Sequence, residues 1–334
     1  MAERGASVTV IGEHRPGEAS PAAAGMLAPS VERAPGPAHD FGIGARDRYP
    51  SYVEFLAERT GIRVPLNRRG ILQVALTNKG IKGLKKTAPP TSSWLDAKEL
   101  RELEPALSHA VGAMFNPDDG AVDNTVLLSA LLKLVSMNQR IESLNAAVID
   151  VEARASSATV RTESGATRSA RYVVLAAGAW IGRISGARFG NAVTPARGQL
   201  VSYSSAPLGH VAYGPRGYVV PRGDSTIGGS TMENVGFDAG TTSEGVEKVR
   251  SAAEEICPAL SRSSATRSWA GLRPVTPDML PIIGPDPEHP SLIYACGHSR
   301  NGVLMAPLTG DLIADLVTAT PLSFDLAQFR PDRF

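Results

Sequence analysis

The chain has 334 residues, a formal charge of +1 at pH 7 and 43% apolar side chains, enough length for about two domains with buried cores. That charge balance gives no electrostatic case for nucleic acid or an acidic membrane surface. Cys257 and Cys296 lie far apart, fit no metal spacing and read as reduced thiols of a cytoplasmic protein. No apolar run approaches the ~20 residues of a bilayer span, and Met1 to Glu13 lacks the basic-then-apolar layout of a signal peptide.

In chain order, A-E-R-G-A reads as the last turn of a helix closed by Gly5. The β-branched run Ser7 to Ile11 predicts a buried parallel strand. It ends at Gly12-Glu13, and an acid at such a strand end is where a dinucleotide fold holds a ribose hydroxyl. Ala19 to Pro29 is small, apolar and glycine-containing, which lets backbone approach a ligand closely. Ala45 to Gly61 predicts a helix with Tyr49, Tyr52, Val53 and Leu56 on one stripe, stopped by Gly61. Gly70 to Leu76 predicts a strand, and the lysines from Lys79 to Lys86 a solvated face. Ala97 to Leu107 predicts an amphipathic helix capped by Asp96. Gly112 to Val122 predicts a hairpin, with Asp118-Asp119-Gly120 serving the turn rather than a metal.

Val126 to Val135 predicts an apolar helix, followed by strands at Ala146 to Val151 and Thr159 to Thr162 and a turn at Gly165. Tyr172 to Trp180, Y-V-V-L-A-A-G-A-W, has the composition of a fully buried parallel strand ending in small residues. Pro195 to Tyr203, Gly217 to Arg222 and Thr226 to Met232 are alternating strands whose connections are too short for crossover helices, so they pair antiparallel. Between Trp269 and Pro307, Arg273 and Arg300 sit in glycine- and proline-rich turns. Leu292 to Cys296 predicts a buried strand ended by Gly297, and from Val303 the spacing is helical, with Leu308, Leu312, Ile313 and Leu316 on one face. Strand, glycine turn and helix bring N–H groups and a positive helix end to one place, which suits a phosphate or an anionic ring. Gly297 and Gly302 serve a plain tight turn equally well, and the residues alone leave both readings open.

The segments G-L-R-P-V-T-P-D and G-H-S-R-N-G-V-L, at 271–278 and 297–304, resemble the C-terminal signature of the D-amino-acid oxidase family of flavoenzymes, and within it the glycine oxidases. The resemblance implies an α/β fold: a Rossmann-like FAD-binding domain, N-terminally truncated, with an antiparallel-sheet substrate domain. It assigns 1–63, 122–192 and 267–334 to the FAD-binding domain, and 64–121 and 193–266 to the substrate domain. It implies that Arg273 grips a substrate carboxylate, that Arg300 adds positive charge, and that Tyr218 and Met232 line the substrate pocket. It places Gly12 or Glu13 at the ribose and Ser20 at the pyrophosphate. Ala24, Gly25 and Met26 fall against the flavin, Val148 on the adenine side, and Ala177 and Gly178 beside the dinucleotide. His298, Ser299, Arg300, Asn301, Gly302, Val303 and Leu304 wrap the ring. Cys296 precedes Gly297 and does not fit the cysteine by which related sarcosine oxidases attach flavin, so FAD is expected to be noncovalent.

One departure concerns the start. The family's phosphate-cradling glycine turn belongs before the Ser7 to Ile11 strand and is absent from the sequence. Either the natural chain starts further upstream or tight flavin binding has been lost, and the retained flavin-facing segments favour the first. The function implied is oxidative deamination of glycine, sarcosine or small D-amino acids. Oxygen would be the acceptor and hydrogen peroxide a product, within thiamine (thiazole) biosynthesis, in a cytoplasmic enzyme for which a homo-oligomer is one allowed state. No side-chain base is required if the amine arrives neutral. Two other readings stand beside it: a dehydrogenase on the same fold that passes electrons to a quinone, and a flavin-free remnant acting as a binding or structural protein.

Overall fold

The computed structural model describes residues 1–33 and 36–334. Its largest sheet has eight strands, in the order Ala265–Val275, Thr194–Tyr203, Ser225–Gly229, Tyr218–Arg222, Val211–Tyr213, Ile71–Ala75, Gly112–Asn116 and Ser93–Asp96. Pairing is antiparallel except where Val211–Tyr213 runs parallel to Ile71–Ala75. The helix Ser243–Ile256 covers one face, capped by Thr242, whose hydroxyl accepts from the Gly245 N–H. Its apolar residues recur at helical spacing, so Val249, Ala253 and Ile256 meet Val201, Tyr203 and Val219 of the sheet.

The rest of the chain forms two small antiparallel sheets, one of Val148–Ala153, Ala158–Thr162 and Thr167–Ala170 and one of Met26–Leu27, Gly120–Val122 and Leu66–Asn67, and two sheets that contain parallel pairs. Val8–Gly12 pairs with Ile141–Asn145, and Val173–Leu175 with Leu292–Cys296, which also pairs antiparallel with Ile282–Pro285. The helices Pro37–Asp47, Tyr49–Thr60, Asn124–Met137 and Gly302–Thr318 bury Phe41, Tyr49, Leu56, Leu127, Leu308 and Leu312 against Ile283 and Ile293. Each large side chain so buried stabilises the fold by about 1.5–3 kcal/mol. The fold is thus α/β, with parallel strand pairs and their helices beside a large sheet that is mostly antiparallel. The Ala265–Val275 strand runs through the expected boundary at 266/267, and the division into two domains stays a proposal.

Several elements differ from the sequence reading for identifiable reasons. The helix expected over 45–61 is two helices, Pro37–Asp47 and Tyr49–Thr60, with Pro50 in the first turn of the second, where its missing N–H costs nothing. The helix expected over 97–107 stops at Leu103 before Pro105, although Asp96 does form the capping box with Glu99. The strand expected over 146–151 is Val148–Ala153, and a separate strand, Ile141–Asn145, precedes it. Tyr172 to Trp180 is a strand only over Val173–Leu175 and then a 3₁₀ turn, because Gly178 takes a φ of 55°. The last strand expected before Met232 ends at Gly229. The Ser7 to Ile11 run is parallel as expected but not buried, and Val10 is 46% exposed.

Gly112 to Val122 is not a hairpin. Gly112–Asn116 belongs to the large sheet, whereas Gly120–Val122 pairs with Met26–Leu27 and Leu66–Asn67. Asp119 lies between the two strands and is fully buried. Its carboxylate accepts from Ser30 N–H at 3.0 Å, Ser30 Oγ at 2.9 Å, Val31 N–H at 3.2 Å and Arg46 Nη1 at 3.0 Å. Burial still raises its pKa above the ordinary carboxylate range. Asp119→Ala should destabilise the protein by about 3–5 kcal/mol, since it leaves two buried N–H groups and the Ser30 hydroxyl without their acceptor and Arg46 with Asp47 alone. Urea unfolding followed by far-ultraviolet circular dichroism measures this, and a loss below about 1 kcal/mol would make the contact incidental.

Candidate active site

A cavity of about 2200 Å³ opens between the parallel strands and the large sheet. At one end the floor comes from Thr194–Tyr203, Tyr218–Arg222 and Ala265–Val275. Arg273 lies flat across Gly198 of the neighbouring strand, where an added Cβ would fall 1.9 Å from Nη1. Its Nη1 donates to Thr231 O at 3.1 Å and its Nη2 to Ser230 Oγ at 2.7 Å, which fixes the plane of the guanidinium. The Tyr218 ring covers Gly229 in the same way and stacks on Tyr213 with centroids 6.2 Å apart. Burial raises the Tyr218 pKa, and the nearby Arg273 charge only partly offsets this, so the phenol stays a donor at neutral pH.

Met232 is 54% exposed at the rim, on the loop after Gly229. That loop is pinned from the sheet by the next residue. Glu233 takes Arg197 Nε at 2.6 Å and Gln199 Nε2 at 3.0 Å, while Arg197 also reaches Asp238 at 2.6 Å. Arg300 crosses the cavity wall to Glu32, with Nε 2.7 Å from Oε2. Burial raises the Glu32 pKa, and Arg300, Asn301 and Arg273 pull it back only in part.

The other wall is the segment from Ala19 to Met26. Its carbonyls are anchored from outside: Ser20 O by Asn124 Nδ2 at 2.6 Å, Ala22 O by Trp269 Nε1 at 2.9 Å and Ala24 O by Arg222 Nη2 at 2.9 Å. Gly25 has a φ of 77° and an added Cβ would sit 2.0 Å from Val122 O, so only glycine fits this close approach. Opposite stands the start of Gly302–Thr318, a helix without a side-chain cap. Its first N–H groups have no intrahelical partner and carry the positive end of the helix dipole. The Tyr49 hydroxyl donates to Val303 O and holds that helix start in place.

Of the residues singled out from sequence, Arg273, Arg300, Tyr218, Met232, Gly12, Glu13, Ser20, Ala24, Gly25, Met26, Val148, Ala177, Gly178, His298, Ser299, Asn301, Gly302 and Val303 line this one cavity. Leu304 does not; it packs into the core with Phe41 and Leu308. Glu13 is paired with Arg15 at 2.6 Å. Sequence reasoning missed Glu32, Tyr213 and Ser230. A glutamate closing the apolar run A-G-M-L-A-P-S-V was the available signal for the first; Tyr213 and Ser230 come from separate strands and loops with no local mark. Cys296 is buried, its thiol pushed up to about 12, and so is a poor nucleophile.

Between the Ala19 to Met26 wall and the start of Gly302–Thr318 the residues fit an anionic, flat cofactor: small side chains on one side and an uncapped helix start on the other. At the far end the cavity is a trench. The outer edges of Val8–Gly12 and Val173–Leu175 both line it and, among the described residues, carry no strand partner. Among those residues no helix is long and apolar enough to cross a membrane.

A cavity beside parallel strands, closed by an antiparallel sheet that carries a flat guanidinium, has a form that suits a flavin-dependent oxidoreductase. The sequence matches the family described as DAO, FAD dependent oxidoreductase, over residues 1–316, and the chain belongs to it. It is 34% identical to glycine oxidase from Geobacillus kaustophilus, over 93% of this chain and 86% of that protein. It is 35% identical to the bifunctional protein ThiO/ThiG of Synechocystis sp. over 98% of the chain, which spans half the length of that relative. The crystal structure of the Geobacillus kaustophilus glycine oxidase superposes with a TM-score of 0.91 at 33% identity, covering 100% of this chain and 94% of that one.

His298 accepts or donates at Thr309 Oγ1, 3.1 Å away, and desolvation pushes its pKa down to about 4 from the usual 6.5. The folded state therefore binds fewer protons than the unfolded chain between these two values. Its contribution is level above pH 6.5, and stability falls as pH drops toward 4 with a slope approaching about 1.4 kcal/mol per unit. Unfolding free energies of the parent and His298→Gln across this range should diverge with that slope. Parallel curves would show that the imidazole titrates normally.

Proposed function

We propose that this enzyme oxidises a small amino acid, glycine, sarcosine or D-alanine, at the α-carbon, yielding an imine that hydrolyses to the 2-oxo acid and ammonia (methylamine from sarcosine) or, from glycine, feeds thiazole synthesis. The observation that carries this is Arg273, laid flat beside Tyr218 on the cavity floor and facing the uncapped helix start. A planar guanidinium holds both oxygens of a carboxylate in one orientation, which a lysine ammonium does not do. The Tyr218 hydroxyl adds a donor on the same side. Met232, Tyr213 and Tyr218 crowd the space a side chain on the α-carbon would fill, and the Arg197–Glu233 pair keeps the Met232 loop in position. Bound noncovalently, FAD supplies the two-electron acceptor for C–N oxidation. Ser20, Ala24, Gly25 and Met26 would hold it from one wall, and the His298 to Val303 segment from the other. Gly12, Glu13, Val148, Ala177 and Gly178 would serve its nucleotide end. His298, neutral at pH 7, adds no charge to that wall. Oxygen as acceptor, peroxide as product and a place in thiamine synthesis rest on the likeness to proteins named glycine oxidase and ThiO/ThiG.

Peroxide release across an amino-acid panel with FAD-saturated protein tests the reading. Glycine, sarcosine and D-alanine should react and D-phenylalanine should not, and Met232→Ala should move preference toward larger side chains by about 1–3 kcal/mol per methylene accommodated. Arg273→Lys should lower kcat/KM about ten- to a hundredfold, the worth of one charge-assisted hydrogen bond, without lowering the unfolding midpoint. A preference for bulky D-amino acids, or reduction of quinones without peroxide, overturns it.

A further inference from the structure

Glu32 stands at the substrate end of the cavity, and the reading above gives it no task. It closes the four-residue helix Pro29–Glu32. Asp119 fixes that helix by taking the Ser30 and Val31 N–H groups at 3.0 and 3.2 Å. Glu32 thus points where it does because a buried carboxylate behind it leaves the helix no freedom. Its Oε2 lies 2.7 Å from Arg300 Nε, and Asn301, Arg273, Tyr213 and Tyr218 are the other polar groups around it. The Arg300 side chain remains 45% exposed although the carboxylate that holds it is 9% exposed. Two guanidiniums and one carboxylate give this end of the cavity a single net positive charge, the complement of one substrate carboxylate.

We propose that Glu32 sets the charge selectivity of the pocket: by neutralising Arg300 it confines the site to amino acids with one carboxylate and turns away amines bearing a second anionic group. The proposal rests on the reading of the site as one that oxidises amino acids. A second carboxylate reaching past the α-amino group meets Arg300 already paired and the Glu32 charge beside it. Like charges brought together at a desolvated site disfavour the wrong ligand, and specificity is often set by such a repulsive element. With glutamine at this position Arg300 keeps a polar neighbour of the same size but loses its ion pair and becomes a free cation lining the cavity.

The test compares the parent, Glu32→Gln, Glu32→Asp and Glu32→Gln/Arg300→Gln, each saturated with FAD, on glycine and on iminodiacetate. The kcat/KM ratio of iminodiacetate over glycine should rise about ten- to a hundredfold in Glu32→Gln, the range of a charge-assisted hydrogen bond gained. It should return toward the parent in the double variant and stay at the parent's value in Glu32→Asp. Calorimetric binding of tartronate and glycolate, which needs no turnover, should show the same shift in affinity ratio. Unchanged ratios in Glu32→Gln, in a parent that oxidises glycine, overturn the role of Glu32, as does a gain that persists without Arg300. A parent that oxidises no amino acid overturns the functional reading instead, and the tartronate-to-glycolate ratio then still decides what Glu32 does.

Discussion

Asp119, one carboxylate with no access to water, meets four donors from two directions. Taking it from water costs several kcal/mol, and only a full set of donors offsets that. The set is full because the chain enters the short helix at Pro29 just where two free N–H groups and the Ser30 hydroxyl face inward, while Arg46 arrives from the next helix. Through this contact the Pro29–Glu32 helix, the Pro37–Asp47 helix and the Gly120–Val122 strand share one point of reference. A few residues further along, Asp123 caps the Asn124–Met137 helix and Asn124 anchors Ser20 O. The wall from Ala19 to Glu32 is therefore aligned in large part by the stretch from 119 to 124, with Trp269 and Arg222 holding Ala22 O and Ala24 O from the large sheet.

On the facing sheet the dominant constraint is room. Two large planar groups, the Arg273 guanidinium and the Tyr218 ring, lie flat on strands because Gly198 and Gly229 leave no side chain beneath them. A flat guanidinium presents its edge, and so its N–H fork, along the surface of the sheet into the cavity. Its partners on the backbone of Thr231 and the side chain of Ser230 come from the loop that Glu233 ties to Arg197 and Gln199. Orientation at the site is thus inherited from a salt bridge with no view of the substrate. Such second-hand alignment is how a long, flexible side chain is made a rigid recognition element without burying its charge.

Much of this was legible in the sequence, and what was missed shares a cause. The parallel strand Leu292–Cys296, its stop at Gly297 and the helix face of Leu308, Leu312 and Ile313 follow from apolar runs and periodicity, which are local properties. So does the capping box at Asp96. The supposed hairpin at Gly112 to Val122 failed because D-D-G is good turn chemistry in any context, and only the distant Ser30 and Arg46 decide that Asp119 is buried. Leu304 was assigned to the flavin by its place in a motif, although the helical period points it at the core. Glu32 escaped for the opposite reason: it sits in no motif, and its partner Arg300 is far away in the chain. Local pattern reveals elements and turns, whereas pairing of buried charges is settled by topology.

The outer edges of Val8–Gly12 and Val173–Leu175 have a bearing on the chain's behaviour in concentrated solution. Both present backbone N–H and C=O groups without a ladder partner among the described residues, in a trench whose side chains include the exposed Val10. Neither edge carries the proline or inward-pointing charge by which natural sheets discourage pairing between molecules. An extended segment of another chain could add to either edge with little rearrangement, so these two edges are where the described residues are most open to β-pairing between molecules.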